Sequence, residues 1–278
     1  MSTIESGRPA PAPTPTLDIS QTAPVPFSRL VRVEWRKMVD TRSGFWLMIA
    51  TGILLVLTVA LVLLVVGLTE DDLTIGADGF SQILTIPLSL LLPVFPILAV
   101  TSEWSQRTGL VTFALEPHRV RVLLAKVGAV VLLAVATIVV ALVLGAVGNV
   151  VAAAMDGNSP EWNLDLEMLA LTILSQLLYF LMAYAFGTVL LSTPASIAVF
   201  YVVALLLPLL VYSTLYALFD WAQDLIPWID MQYAMGPFLD PGDDATAMDG
   251  LRLLVTVLIW VVTPLIIGTR RVLASEPK

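Results

Sequence analysis

Six long apolar runs, separated by polar gaps, dominate the pattern of residues along this chain. A helix rises about 1.5 Å per residue, so a run of about 20 apolar residues crosses the roughly 30 Å hydrocarbon layer of a membrane. No acidic or basic residue lies in the middle third of any run, where inserting a charge costs about 2.5–3.5 kcal/mol. The pattern therefore predicts an all-α, polytopic integral membrane protein with six transmembrane helices. The predicted spans are Gly44–Leu68, Phe80–Val100, Val122–Val150, Leu166–Leu191, Ala195–Phe219 and Leu251–Gly268.

The composition argues against a soluble domain. Hydrophobic residues make up 58% of the 278-residue chain and charged residues only 13%, whereas soluble domains carry about 25% charged residues. The sequence contains no cysteine, so neither a disulfide framework nor thiolate chemistry is expected. The chain is better suited to contact with membrane lipids than with water.

The two signs of charge segregate between alternate gaps. If the N-terminus lies in the cytoplasm, 13 of the 14 basic residues fall in cytoplasmic segments, with Arg252 the exception, and 15 of the 22 acidic residues fall on the other side. Positive residues near span ends are retained in the cytoplasm, so we expect a multi-pass protein of the inner (plasma) membrane with both termini cytoplasmic. The net charge of −8 then averages two faces of opposite sign, and it does not indicate nucleic-acid binding.

The residues before the first span divide into two parts. Residues 1–26 contain six prolines among Ala, Thr and Ser, which predicts a disordered cytoplasmic tail. In residues 27–43, apolar positions such as Leu30 and Trp35 recur at helical spacing, and arginines recur on another face. This predicts an amphipathic helix that lies flat against anionic lipid, either as a topological anchor alone or also as a contact to a cytoplasmic partner. Residues 44–278 then form the six-span domain.

The segment Thr101–Arg121, between the second and third spans, is the most informative cytoplasmic stretch. Its sequence, TSEWSQRTGLVTFALEPHRVR, is too long for a tight hairpin and too short for a domain. Ser102 can open a short helix that Pro117 ends. An apolar ridge that includes Trp104 and Phe113 suits insertion of this helix into a groove on another protein.

Two of these cytoplasmic segments, with the six-span plan, carry a resemblance to a known family. The first segment contains Val33-Glu34-Trp35-Arg36-Lys37 and Thr41-Arg42. The second contains Glu103, Arg107-Thr108-Gly109, Pro117, Arg119 and Ala125-Lys126. Over about residues 27–270 the chain resembles the permease subunits of the second-class, export-type ABC transporters of bacteria. Leu110 departs from the pattern, because the family often has Thr after the Gly.

The resemblance implies roles and partners for these segments. It implies that the second segment is a coupling helix that docks into a cleft on an ATPase subunit, and that the helix before span one is the connecting elbow helix. The coupling residues would be Glu103, Arg107, Gly109, Pro117 and Arg119, and the elbow residues Glu34, Trp35, Arg36 and Lys37. Two permease chains, either a homodimer or a pair with a sister chain, would join two ATPase copies that bind ATP and Mg.

The sequence lacks the usual signs of a nucleotide site and of membrane enzymes with six spans. A phosphate-binding P-loop needs a Gly-Lys pair, and none of Lys37, Lys126 and Lys278 follows a glycine. The single histidine, His118, has no second His and no Cys to share a metal, and no Ser-His-Asp set can be assembled at one depth. We therefore expect no catalytic residue, metal site or cofactor in this chain, with ATP hydrolysed by a separate subunit.

Uncharged polar residues inside the spans are the candidates for a transport pathway. Gln176 and Tyr179 stand out, because three-residue spacing puts them on one helix face and an unpartnered Gln is costly in hydrocarbon. Tyr184 is a third candidate. The alternative for all three is hydrogen bonding between neighbouring helices, worth about 0.6 kcal/mol each.

Five prolines inside the spans predict bends or breaks, because each removes a backbone donor. They are Pro87, Pro93, Pro96, Pro208 and Pro264. The outer segment from Asp220 to Gly250 is long enough for structure. It predicts a short amphipathic or re-entrant helix up to Ile229, followed by a loose Asp-rich stretch.

The function expected from this sequence is that of the transmembrane (permease) subunit of an ATP-binding-cassette exporter, coupled to a separate ATPase. The alternative is a non-transport membrane assembly factor or a channel-like subunit that needs no ATPase. The nearly charge-free spans favour a hydrophobic or amphipathic cargo.

Overall fold

A computed structural model describes residues 25–69, 75–105, 118–240 and 245–274. Within these ranges the regular elements are all helices, with no strand. Six of the helical stretches are long and apolar enough to cross a membrane, which confirms the predicted all-α, six-span architecture. These are spans 1 to 6 in chain order: Arg42–Leu68, Ala77–Trp104, Arg119–Met155, Leu166–Leu190, Thr193–Leu218 and Ala247–Ala274. The predicted tail, residues 1–26, lies outside the described residues except for its last two.

In the first half of the chain, the described residues form five helices. Helix α1, Phe27–Asp40, is the amphipathic helix, and α2, Arg42–Leu68, is span 1. Span 2 consists of α3, Ala77–Leu91, and α4, Val94–Ser105. Span 3 is the single long helix α5, Arg119–Met155, which extends beyond both ends of the predicted run.

The second half is more interrupted. Span 4 is α6, Leu166–Leu190. Span 5 consists of α7, Thr193–Tyr201, a π-helical segment, Val202–Tyr212, and α8, Ser213–Leu218. Helices α9, Asp220–Ile229, and α10, Met231–Leu239, lie between spans 5 and 6. Span 6 consists of α11, Ala247–Val257, a π-helical segment, Leu258–Val262, and α12, Thr263–Ala274.

Local sequence explains where several of these helices begin. The carboxylate of Asp165 accepts hydrogen bonds from two backbone N–H groups at the start of α6, and Asp230 does the same for α10. Thr246 and Asp249 form a reciprocal capping box at the start of α11. These side chains satisfy N–H groups that the first turn of a helix leaves without a partner.

The prolines act on the spans in different ways. Pro93 lies at the break between α3 and α4, whereas Pro87 lies inside α3 without interrupting it. Pro208 lies within the π-helical segment of span 5, and Pro264 directly follows the π-helical segment of span 6. A proline removes one i→i−4 hydrogen bond and clashes with the carbonyl of residue i−4, so irregular turns beside it are expected.

Contacts between helix ends define two ends of the bundle. At one, called the α1 end, the guanidinium of Arg119 at the start of α5 donates to the carbonyl of Leu273 in α12 at 3.2 Å. At the opposite, or far, end, the backbone N–H of Ala77 and the side-chain amide of Asn149 both donate to the carbonyl of Glu161 at 3.0 Å. Successive spans therefore run between the α1 end and the far end.

Small residues of spans 4 and 6 allow close packing in the interior. A Cβ added to Gly268 of α12 would lie 2.6 Å from the Cβ of Thr188, which is fully buried. A Cβ added to Gly187 would lie 3.4 Å from the Cα of Ile97 in α4. Helices associate in lipid through such close approaches, because little hydrophobic force acts between them there. Spans 2, 4 and 6 cross at this point.

Candidate functional site

Four charged side chains form a closed ring at the α1 end, which we call the ionic ring. The ammonium of Lys126 lies 2.6 Å from Oε2 of Glu34 and 2.9 Å from Oε1 of Glu103. The ammonium of Lys37 lies 2.7 Å from Oε1 of Glu34 and 2.7 Å from Oε1 of Glu103. Each carboxylate thus contacts both ammonium groups, and the formal charges of the ring cancel.

Three separate elements bring the ionic ring together. Glu34 and Lys37 lie three residues apart on α1, so they share a helix face, while Glu103 lies in the last turn of α4 and Lys126 near the start of α5. Gly128 of α5 faces Val31 of α1, since a Cβ added there would make ordinary contact, at 3.5 Å, with a methyl group of Val31. The ring therefore fixes α1 to both helices that flank the segment between spans 2 and 3.

Burial makes the ionic ring a costly arrangement unless all members are present. Only 3% of the Lys126 side chain is exposed, 7% of Glu34 and 9% of Glu103, against 39% of Lys37. Lys126 also donates to the carbonyl of Ala99 at 3.1 Å. A buried charge without a partner is strongly unfavourable, whereas a closed, hydrogen-bonded set largely offsets the loss of hydration.

Lys37 forms the open edge of the ionic ring. Partial burial alone would lower the pKa of its ammonium, but the neighbouring carboxylates of Glu34 and Glu103 outweigh burial and raise the pKa above its ordinary value of 10.5. Lys37 is therefore charged at every physiological pH.

The elbow and coupling residues that the family resemblance implies lie in different environments in the structure. Glu34, Lys37 and Glu103 belong to the ionic ring, Trp35 packs against the core cluster beneath α1, and Arg36 is exposed. Arg119 contacts the end of α12 through backbone carbonyls. The other three coupling candidates, Arg107, Gly109 and Pro117, lie outside the described residues.

Lys126 is the ring member that the sequence-based site did not include. It was counted as a basic residue of the cytoplasmic segment, although it lies inside the predicted span Val122–Val150. A charge within a span needs a partner. The position of Lys126 within a predicted span therefore indicates a buried ion pair, but it does not identify the partners. These are Glu34, which lies 92 residues earlier, and Glu103 on α4.

The three pathway candidates occupy two different environments. The Tyr184 hydroxyl is buried and donates to the carbonyl of Leu123 on α5 at 3.1 Å, one turn before Lys126. Gln176 and Tyr179 instead line cavities elsewhere in the bundle. Tyr184 therefore fits the alternative of interhelical hydrogen bonding. Gln176 also donates to another helix, at the carbonyl of Thr85 on α3, but Gln176 and Tyr179 both line an open space.

Two adjoining cavities, of about 320 and 270 Å³, form one groove between α3, α5, α6 and α7. The cavities share Thr85, Ser175, Gln176 and Leu239. Polar residues on α3 occur at helical spacing along the groove, and polar residues on α6 face them from the other side. The α3 stripe is Asp78, Ser81, Gln82, Thr85 and Ser89, and the α6 stripe is Thr172, Ser175, Gln176 and Tyr179.

Residues of span 5 line the smaller of the two cavities. The Tyr201 hydroxyl donates to the carbonyl of Leu90, next to the break between α3 and α4. The break removes regular helical partners from carbonyls in this turn, and Tyr201 supplies one. Span 5 is thereby attached to span 2 at the irregular point of span 2.

No protein-family model and no curated protein matches this sequence. The ionic ring and the polar groove bring charged and polar side chains together in a largely apolar bundle.

Proposed function

We propose that this chain is the permease subunit of an ATP-binding-cassette exporter, in which two such chains and two separate ATPase subunits form the working complex. One observation carries the proposal. Residues from both segments that resemble the family, far apart in sequence, meet in the single buried ionic ring of Glu34, Lys37, Glu103 and Lys126.

The ionic ring would let α1 and the ends of spans 2 and 3 move together. Glu103 precedes the segment 106–117, and Arg119, which holds the end of α12, follows it. A partner that pushes on this segment would therefore displace α1, α4, α5 and α12 as one unit. Such a joint suits an ATPase whose closure must change the bundle from one access state to another.

The orientation of the chain is part of the proposal: the α1 end, with both termini, would face the cytoplasm of a plasma membrane. The cysteine-free sequence allows a direct test with single introduced cysteines. An impermeant maleimide added to intact cells should label Asn158→Cys at the far end, and His118→Cys only after permeabilisation. Labelling of His118→Cys in intact cells would contradict the orientation and the proposed ATPase contact.

Purification tests the energy source. The chain alone, in lipid nanodiscs, should hydrolyse no ATP, whereas the complex purified from native membranes should hydrolyse ATP in a vanadate-sensitive way. Glu103→Gln should reduce recovery of the ATPase, and the matched far-end variant Glu161→Gln should leave it unchanged. Native complexes that contain no ATPase would contradict the proposal and favour the alternative of an assembly factor or channel-like subunit.

A further inference from the structure

The hydroxyl groups along the α3 side of the groove use their protons within their own helix. Ser81, Thr85 and Ser89 donate to backbone carbonyls of α3 at 2.8, 2.6 and 2.8 Å. A hydroxyl that has donated its proton retains lone pairs that accept hydrogen bonds. This side of the groove therefore offers acceptors rather than donors.

Gln82, Gln176 and Gln232 are the amide side chains of the groove, and the first two show the same bias. Gln82 donates from Nε2 to the carboxylate of Asp78 at 2.8 Å, and Gln176 donates from Nε2 to the carbonyl of Thr85 at 3.4 Å. Gln82 and Gln176 thus each use one of two N–H donors within the protein and keep the carbonyl oxygen as an acceptor. Only 7% of Gln176 is exposed, so a partner for that oxygen is of particular value.

Charge in the groove has one sign. Among the described residues that line the two cavities, Asp78 is the only charged one, and no Lys or Arg is among them. Gln82 fills only part of the accepting capacity of the Asp78 carboxylate. An anion would meet a carboxylate without a compensating base, and a purely apolar molecule would leave the acceptors without donors.

The remaining wall of the groove is apolar. Leu88 of α3, Ile138 and Leu142 of α5, and Ile173 of α6 line the larger cavity. Its volume of about 320 Å³ lies at the lower end of the roughly 300–1,000 Å³ found for small-molecule sites. The groove can therefore hold an apolar body of modest size beside a polar head.

We propose that this groove binds an amphipathic organic amine in its ammonium form. The ammonium lies at the far end, where it donates to the Asp78 carboxylate and neighbouring acceptors, and the apolar body lies along Leu88, Ile138 and Ile173. Binding needs only this chain. That the bound amine is the cargo of an exporter rests on the proposed function.

Octylamine is a suitable probe, with octanol as the neutral analogue of similar shape and octanoate as the anion. Binding of each tritiated compound to the chain in phosphatidylcholine nanodiscs is measured after subtraction of empty nanodiscs. Octylamine should bind about 10- to 100-fold more tightly than octanol, as expected for a charge-assisted hydrogen bond, and octanoate should not bind. Equal binding of octylamine and octanol would overturn the proposal.

Variants assign the binding to the groove. Asp78→Asn should weaken octylamine binding about 10-fold or more and leave octanol binding unchanged, and Gln176→Leu should weaken octylamine binding as well. Asp156→Asn removes the same charge at the same end but outside the groove, so it should bind octylamine like the parent. Parent-like octylamine binding by well-folded Asp78→Asn and Gln176→Leu would overturn the assignment.

Measurements on the native complex test the amine site and the proposed exporter function separately. If the amine is cargo, octylamine should stimulate ATP hydrolysis by the co-purified complex, and Asp78→Asn should abolish the stimulation. Binding without stimulation would retain the site and contradict the cargo role. A vanadate-sensitive ATPase complex whose permease binds no octylamine would retain the proposed function and overturn the amine site.

Discussion

The ammonium of Lys126 lies 2.6 Å from the carboxylate of Glu34, although 92 residues separate the two in sequence. Both side chains are buried, with 3% and 7% of their surfaces exposed. The contact joins α1, which precedes every span, to the beginning of span 3. A helix that the sequence places on the membrane surface is in this way an integral part of the bundle.

Lys126→Met should destabilise the protein more than any other single replacement in the ionic ring. It would leave Glu34 and Glu103 with only the half-exposed Lys37 as a partner, and removing one member of a buried ion pair costs about 3–5 kcal/mol. The free energy of unfolding in detergent, measured by denaturant titration, checks this.

Lys37→Met is the matched control for that variant. Its side chain is 39% exposed, so water screens much of the charge that it leaves behind, and the loss of stability should be clearly smaller. Adding Glu103→Gln to Lys37→Met restores a balanced pair of Glu34 and Lys126. A double-variant cycle should therefore show less than additive destabilisation, and strict additivity would argue that the ring does not act as a unit.

Gly268→Ala should loosen the crossing of spans 4 and 6. The new methyl group would overlap the side chain of Thr188, which is β-branched and fully buried, and overpacking of this kind costs about 1–3 kcal/mol. Gly52→Ala in span 1 is the control, because no atom lies within 4 Å of a Cβ placed there. Thermal unfolding of the two variants should differ, with Gly52→Ala at or above the stability of the parent.

Asp230→Asn should change how stability depends on pH. Burial raises the pKa of Asp230 above its ordinary value of 3.8, and the backbone N–H groups of Tyr233 and Gln232 only partly oppose this. The folded protein therefore binds the proton more tightly than the unfolded chain, so the contribution of Asp230 to stability falls as pH rises from about 3.8 through the raised pKa. Unfolding measured from pH 4 to 7 should show a smaller decline in Asp230→Asn than in the parent.

The cap that Asp230 provides should survive this replacement, because Asn caps helices about as well as Asp. Asp165→Asn is a suitable control, since it also replaces a capping carboxylate but at an exposed position at the start of α6. A gain in stability at pH 7 by Asp165→Asn, and none by Asp230→Asn, would show that burial of Asp230 has no energetic effect.

Tyr184→Phe should have a small structural effect and no effect on ligand binding. It removes the hydrogen bond to the carbonyl of Leu123, and such bonds between membrane helices are worth about 0.6 kcal/mol on average. Octylamine binding should remain that of the parent, because Tyr184 does not line either cavity of the groove. A loss of octylamine binding at unchanged stability would indicate that Tyr184 takes part in ligand binding and is a pathway residue after all.

The six spans could be predicted from the sequence because hydrocarbon excludes charge strongly, and a charge-free run as long as Gly44–Leu68 is typical of a membrane helix. The span boundaries were less exact. The third helix extends from Arg119 to Met155, because Arg119 and Arg121 continue it before the predicted run and the alanine-rich residues 151–155 continue it after that run. The helix α9 was predicted from the spacing of its apolar residues, but α10 was not. Gly236 and Pro237 lie within α10, and both residue types are unfavourable inside helices, although Asp230 caps its start.

The candidate sites were predicted only in part, for a physical reason. Helical periodicity relates residues three or four positions apart, so it groups Glu34 with Lys37, and Gln176 with Tyr179. It carries no information about which helices become neighbours. The contact of Glu34 with Lys126, and the groove in which Gln176 meets Thr85, both depend on that packing.

The spacing of Glu34 and Lys37 matters during synthesis. The ribosome makes α1 long before Lys126 exists, so for that interval Glu34 has no charge from span 3 to contact. Lys37, three residues away on the same helix, can neutralise it at once. The nascent chain thus has a counter-charge for Glu34 from the start. Glu103 and Lys126 join later and complete the ionic ring, in which Lys37 remains.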